Sequence, residues 1–330
     1  MLIESNKSKI KIMQLTLCIS VLIMGIKFSA YYFTHSVAIL SDALESIINI
    51  VAGGFALFSV YYASKPKDDD HPYGHGKIEN LSAGFEGGLI FIAGISIILQ
   101  AIDNFLHPVK ITELSVGLIL SAIAGASNFL MGYILTIKAK KHHSITMEAD
   151  GKHLISDAAS SLGLVIGIVL MMIFNYAWLD GVIASIFGVY IIWTGFKLIR
   201  EAIYNLLDKT DIARLQELAE ILQKNRRPKW IDMHNLRILK YGHHLHIDAH
   251  ITLPWYDSLE DSHSEMKEVE NIVQKKLGDT VELFLHPDPC LPNSCTICNL
   301  HECKVRQNKF VHKLEWNLEN LIPNQKHSSN

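Results

Sequence analysis

Residues 36–62 read SVAILSDALESIINIVAGGFALFSVYY, an apolar run of 27 residues. At 1.5 Å per residue a helix of that length reaches about 40 Å, enough to cross roughly 30 Å of hydrocarbon. Its only charged residues are Asp42 and Glu45. With Asn49 they stand at offsets of three and four, which places all three on one helical face. Ionisable groups at bilayer depth are costly and are retained where they do chemistry. The stretch therefore reads as a membrane span with a polar stripe. Five more apolar runs of similar length surround it, at about 12–33, 79–105, 114–137, 147–175 and 179–203.

The connections between these six spans alternate in charge. Lys7, Lys9 and Lys11 precede the first, Lys65, Lys67 and Lys77 separate the second and third, and Lys138, Lys140 and Lys141 separate the fourth and fifth. The opposite connections contribute only Lys110. By the positive-inside rule both termini face the cytoplasm. The chain has 330 residues, 49% of them hydrophobic, with the excess before residue 200. A net charge of −3 gives no reason to expect a nucleic-acid partner. The polar segment Met1 to Lys11 lacks a small-residue cleavage site, so no cleaved signal peptide is expected. The expected division is a transmembrane domain over 1–208, a soluble domain over 209–289, and a Cys-rich knuckle with a polar tail over 290–330.

The fifth span repeats the device of the second. His153 and Asp157 lie one turn apart, so two side chains converge on one point. Two such pairs on neighbouring helices supply four nitrogen and oxygen ligands. That set suits Zn(II), Fe(II), Co(II) or Mn(II) and disfavours a thiophilic ion such as Cu(I). With His153 neutral, Glu45 and Asp157 balance one dication. Glu86 and Asn128 stand alone on the third and fourth spans and read as structural. The glycines between spans read as sites of close helix packing.

Beyond Asp208 the periodicity changes. Leu215, Leu218, Ala219 and Leu222 mark a helix; residues 231–239 and 244–253 read as strands; Met266, Val269, Ile272, Val273 and Leu277 mark a second helix; Val281 to Leu285 reads as a last strand. The order αββαβ gives a small α+β layer. His244, His246, Asp248 and His250 share the polar face of the second strand, with His244 and His246 expected to be plain surface. In the tail, Val311, Leu314, Leu318 and Leu321 have the spacing of one short amphipathic helix. Between the second and third spans, Asp68-Asp-Asp-His71-Pro-Tyr-Gly-His75 gathers carboxylates and imidazoles within eight residues. Cys290-x4-Cys295-x2-Cys298-x4-Cys303 then reads as a structural zinc knuckle, since a reducing compartment disfavours disulfides.

Ser36-Val-Ala-Ile-Leu40 with Asp42 to Asn49, His71-Pro-Tyr-Gly-His-Gly-Lys77, and Ala149-Asp-Gly-Lys-His153 with Ser156-Asp157 together resemble the cation diffusion facilitator family. The likeness runs from the first span to about residue 289. It implies a homodimeric secondary transporter in the lipid bilayer that exchanges cytoplasmic divalent metal cations for protons. Zinc is foremost, then iron, with Mn, Co, Ni or Cd as alternatives. The implied transport site is Glu45, Asn49, His153 and Asp157. Asp68, His71 and His75 match a second metal site, and His234, His250, His263, His286 and Asp288 match a cytoplasmic binuclear one. The second span departs from the family's usual pattern, which has Asp or His and then Asp where this chain has Glu45 and Asn49. Asp42, within about 20° of Asn49 on an ideal helix, restores a charge there. A bacterial inner membrane is the expected location. A membrane metallohydrolase is disfavoured because neither H-E-x-x-H nor G-x-S-x-G occurs. A sensor without transport leaves ligands at bilayer depth unexplained.

Overall fold

The computed structural model describes residues 2–34, 37–106, 114–142, 144–174, 178–241, 244–278 and 281–328. Within the helices, the side chains of 2–7, 37–45 and 48, most of those at 164–184, and a few others fall outside the described set. The chain forms two compact units, Met1–Leu207 and Asp208–Asn330.

The first unit consists of long helices: α1 (Leu2–Thr34), α2 (Val37–Ala63), α3 (Ile78–Leu106), α4 (Leu114–His142), α5 (Ile145–Phe174) and α6 (Trp178–Leu206). Among the described residues, Ser8–Ser29, Ile78–Asp103 and Ala122–His142 are long and apolar enough to cross a membrane, and Asn49–Ala63 is a shorter apolar stretch. Leu22, Ile92, Leu99, Phe129 and Trp193 stand exposed on these helices, an outer surface suited to lipid. Inside, α5 packs against α2, α3, α4 and α6, which makes it the central helix. Small residues bring its neighbours close. A Cβ at Gly151 would lie 3.0 Å from the Gly132 carbonyl on α4, and one at Gly195 of α6 would lie 2.5 Å from the Phe91 amide nitrogen on α3. Without an aqueous hydrophobic effect, such close backbone approach is the main source of helix–helix attraction in lipid.

The second unit runs α7 (Ile212–Asn225), β1 (Asp232–Tyr241), β2 (His244–Leu253), α8 (Leu259–Leu277), β3 (Val281–Pro289), a 3-10 turn at Pro292–Thr296, and the single turn α9 (Leu318–Leu321). The sheet order is β1-β2-β3, with β1 antiparallel and β3 parallel to β2. Asp211 caps α7 by accepting from the Arg214 amide, and Ser258 opens α8 in a reciprocal capping box with Asp261. The core joins Leu215, Leu218, Ala219 and Leu222 of α7 to Ile247, Ala249, Ile251 and Leu253 of β2 and Val269 and Val273 of α8. Burial of these alternating positions fixes the strand register, because a one-residue slip would turn them out.

Three expectations are corrected. β3 does not stop at Leu285 but continues through His286, Pro287 and Asp288 to Pro289. It is the edge strand of the described sheet, where the missing amide hydrogens of two prolines leave no ladder bond unmade. His246 is buried, between Asp248 and Glu282 at 3.1 and 3.4 Å, not plain surface. The tail is not simply polar: Trp316 and Leu321 complete the core of this unit, while Val311 is exposed.

Candidate functional site

In the helical unit, α5 presents His153 and Asp157 one turn apart toward Asn49 on α2. The Asn49 amide nitrogen donates to Asp157 Oδ2 at 2.6 Å, so its Oδ1 is left to accept; His153 Nε2 lies 2.9 Å from that oxygen and serves as the donor. His153 Nε2 and Asp157 Oδ2 are 3.8 Å apart. One imidazole, one amide and one carboxylate thus close a partly buried ring of nitrogen and oxygen atoms at a helix crossing. The side chains of Asp42 and Glu45 lie outside the described residues.

Two further acidic residues approach this ring, and sequence reasoning had not given either a role. Glu86 on α3 is fully buried, and neither of its oxygens has a hydrogen-bond partner. Its Oε2 sits 3.7 Å from His153 Nδ1, which is also buried. Asp150 is buried one turn before His153. The signal was present for Glu86, a lone carboxylate inside an apolar span. What the sequence lacks is the packing of α3 on α5 that aims it.

A second group forms in the loop between α2 and α3. The ligand atoms of Asp68, His71 and His75 lie within 4.8 Å of one another. His71 Nδ1 is 3.0 Å from Asp68 Oδ1, and His75 Nε2 is 3.2 Å from Oδ2. Gly74, at φ +88°, takes the left-handed turn that lets the chain double back between the two histidines. Desolvation raises the Asp68 carboxyl, but hydrogen bonds from the His71 ring and amide, with the charges of both imidazoles, together outweigh it and hold it below the usual carboxylate value.

The sheet builds the third group. His234, His250 and His286 stand opposite one another across β1, β2 and β3, and Asp288 follows two residues along on the same face. The ligand atoms of His234, His250 and Asp288 fall within 4.8 Å of one another. His250 Nδ1 lies 3.1 Å from Asp288 Oδ2, and the His286 ring sits 4.7 Å from that of His250, tilted by 47°. His286 itself is outward-facing, with its Nε2 4.0 Å from Asp288. His263, on α8, is exposed and does not belong to the trio. The tail closes over this face. Lys326 Nζ pairs with Asp288 Oδ1 at 3.1 Å, and the His327 amide and ring contact Asp232, both at 3.0 Å. Burial raises the Asp288 carboxyl, but the hydrogen bonds from Lys326 and His250 outweigh it and set it below the usual range. Two imidazoles and a carboxylate, partly buried, form a donor set that fits a borderline divalent ion such as zinc.

Cys290, Cys295, Cys298 and Cys303 all line one small cavity beside Ile231 and Arg306. All four are free thiols, and no three sulfurs draw as close as the atoms of the two His–Asp trios. Burial and the neighbouring thiols push the Cys290 thiol up, against a hydrogen bond from the Trp255 amide. Burial, with a hydrogen bond to Cys303, pushes the Tyr256 hydroxyl up to about 12.

Residues 13–207 match the cation efflux transmembrane domain, and residues 211–290 match the cytoplasmic domain of cation efflux proteins. An uncharacterised transporter of Synechocystis is 32% identical over 266 residues, covering 80% of this chain and 86% of that protein. The cation-efflux pump FieF of Salmonella typhi is 28% identical over 268 residues, covering 80% of this chain and 87% of its own. FieF of Citrobacter koseri is 28% identical over 273 residues, covering 82% and 89%.

Proposed function

The chain belongs to the cation efflux, or cation diffusion facilitator, family, and from that premise we propose that it exports zinc or iron(II) from the cytoplasm in exchange for protons. Membership makes it a multi-pass integral membrane transporter of divalent metal cations, not an enzyme. The proposed setting is a bacterial inner membrane, with both termini cytoplasmic and two copies paired through the 209–289 domain.

The observation that carries this reading is the ring of Asn49, His153 and Asp157 at the α2–α5 crossing. Asp157 supplies charge, Asn49 a carbonyl oxygen and His153 a nitrogen. Glu45, and Asp42 beside it, would complete a four-ligand set. The substrate ion takes the place of the hydrogen bonds that these groups make to one another. The His153 Nε2–H now points at Asn49 Oδ1, so a metal reaches that nitrogen only when its proton has left. Metal and proton then compete for one atom, and alternating access turns that competition into exchange. The imidazole–carboxylate donor set favours zinc and iron(II) over Cu(I), with Mn, Co, Ni or Cd as the alternative principal cargo. Asp68, His71 and His75 serve as an entry or sensing site, and His234, His250 and Asp288, with His286 and His263, as a cytoplasmic metal sensor.

The test is zinc uptake into proteoliposomes. Alanine at Glu45, His153 or Asp157 abolishes flux and leaves the protein folded, because each removes a ligand. Normal flux in any two of the three would remove the assignment.

A further inference from the structure

The four cysteines are used by neither the transport site nor the two His–Asp groups, and three of them lie beyond both matched domains. They nonetheless converge. The 3-10 turn Pro292–Thr296 folds the chain back after Cys290, so that Cys290, Cys295, Cys298 and Cys303 line the same small cavity. Ile231, Ile297 and Cys298 form a buried base beneath it, with Leu300 and Leu314 packed alongside. This is an ordered loop with its own small core, not a frayed extension.

The polar surroundings suit bound thiolates. The Trp255 amide donates to Cys290 Sγ at 3.4 Å. Arg306, which also lines the cavity, donates to the carbonyls of Cys295 at 2.8 Å, Cys298 at 3.0 Å and Leu300 at 2.8 Å. That fork fixes the loop and sets a permanent positive charge beside four sulfurs. A dication held by four thiolates carries a net charge of −2, which the guanidinium partly offsets.

We propose that Cys290, Cys295, Cys298 and Cys303 hold one tetrahedral Zn(II) as a resident structural ion, separate from the transported metal. Four protein sulfurs leave no open position for exchange, which marks a structural and not a transport site. With Zn–S bonds of about 2.3 Å the sulfurs must stand about 3.8 Å apart, so the thiols draw inward when the ion binds. What the ion holds in place is the start of the tail. Thr296, inside the knuckle, accepts from the Val311 amide at 2.7 Å. From there the chain runs through the core residues Trp316 and Leu321 to Lys326 and His327 on the sheet face.

The full-length protein, purified in detergent under reducing conditions, tests this without any variant. The zinc K-edge spectrum is expected to contain a sulfur shell near 2.3 Å. Replacing the metal with Co(II) should give sulfur-to-cobalt charge-transfer absorption. Both signals persist when His234, His250 and Asp288 are changed to alanine, and both are lost in Cys295→Ser/Cys298→Ser. Cys295→His keeps a bound ion with three sulfurs and one nitrogen. A wild-type spectrum with only nitrogen and oxygen scatterers, or mass spectrometry showing the four cysteines paired as disulfides, would overturn the proposal. A chain that transports nothing would leave this outcome untouched.

Discussion

His153 meets both described partners in the proposed transport site, and its two ring nitrogens face different tasks. Nε2 meets Asn49 and Asp157, while Nδ1 faces Glu86. Histidine ligands commonly use the second nitrogen to fix ring orientation through a carboxylate, and losing that partner costs roughly 10–100-fold in metal affinity. Placed 3.7 Å from Nδ1, Glu86 would act as a positioning residue for a metal-bound His153. Glu86→Gln is expected to raise the zinc KM of proteoliposome flux by about tenfold, with a smaller effect for Glu86→Asp; an unchanged KM in both would leave Glu86 a packing residue. Asn49 sets preference in a different way. Asn49→Asp adds a charge and removes an amide, so competition assays should move toward hard, oxygen-preferring ions such as Mn(II). An unaltered competition series would place residue 49 outside the ligand set. The sequence displayed His153, Asp157 and Asn49 through their helical offsets. It hid Glu86 because a carboxylate alone on a span has no offset to read, and only helix packing supplies its partner.

At the scale of elements, α5 is held on four sides and β2 on two. Each is the middle of its layer, and each carries the histidine around which a ligand group forms. Helix and strand periodicities showed which residues share a face. They did not show where β3 ends: the segment His286-Pro-Asp-Pro289 has two prolines that argue against a central strand, and only its edge position admits them. That error hid the cross-strand pairing of His234, His250 and His286, residues that only the family resemblance had grouped. Nor did the tail's sparse apolar residues announce that Trp316 and Leu321 would fill a core. The tail has a functional consequence. Lys326 pairs with Asp288 Oδ1 while Oδ2 faces His250, so the lysine draws on the charge of the same carboxylate that a metal in this row would use. Lys326→Met, which keeps the aliphatic stem and removes the cation, is expected to tighten zinc binding at the sheet site. Isothermal titration of the full chain, with the knuckle already loaded, measures it; equal affinities would mean that the lysine is no competitor.

On the scale of the molecule, the chain divides into a helical unit with an apolar exterior and a smaller α+β unit with its own core. Composition forecast that split, because apolar residues crowd the first 200 positions and charge follows. The metal that is carried, and whether protons move against it, depend on energy differences among a few ligands, and no periodicity records those. If metal and proton compete at His153 Nε2, zinc crossing one way drives protons the other way. Proteoliposomes holding a pH-sensitive dye, given zinc on the side the cytoplasm would occupy, measure both fluxes at once. The expected result is zinc entry that accelerates when the lumen is made acidic, accompanied by proton exit, with both lost in His153→Ala. Zinc entry by the wild-type protein with no proton movement and no response to the gradient would contradict it.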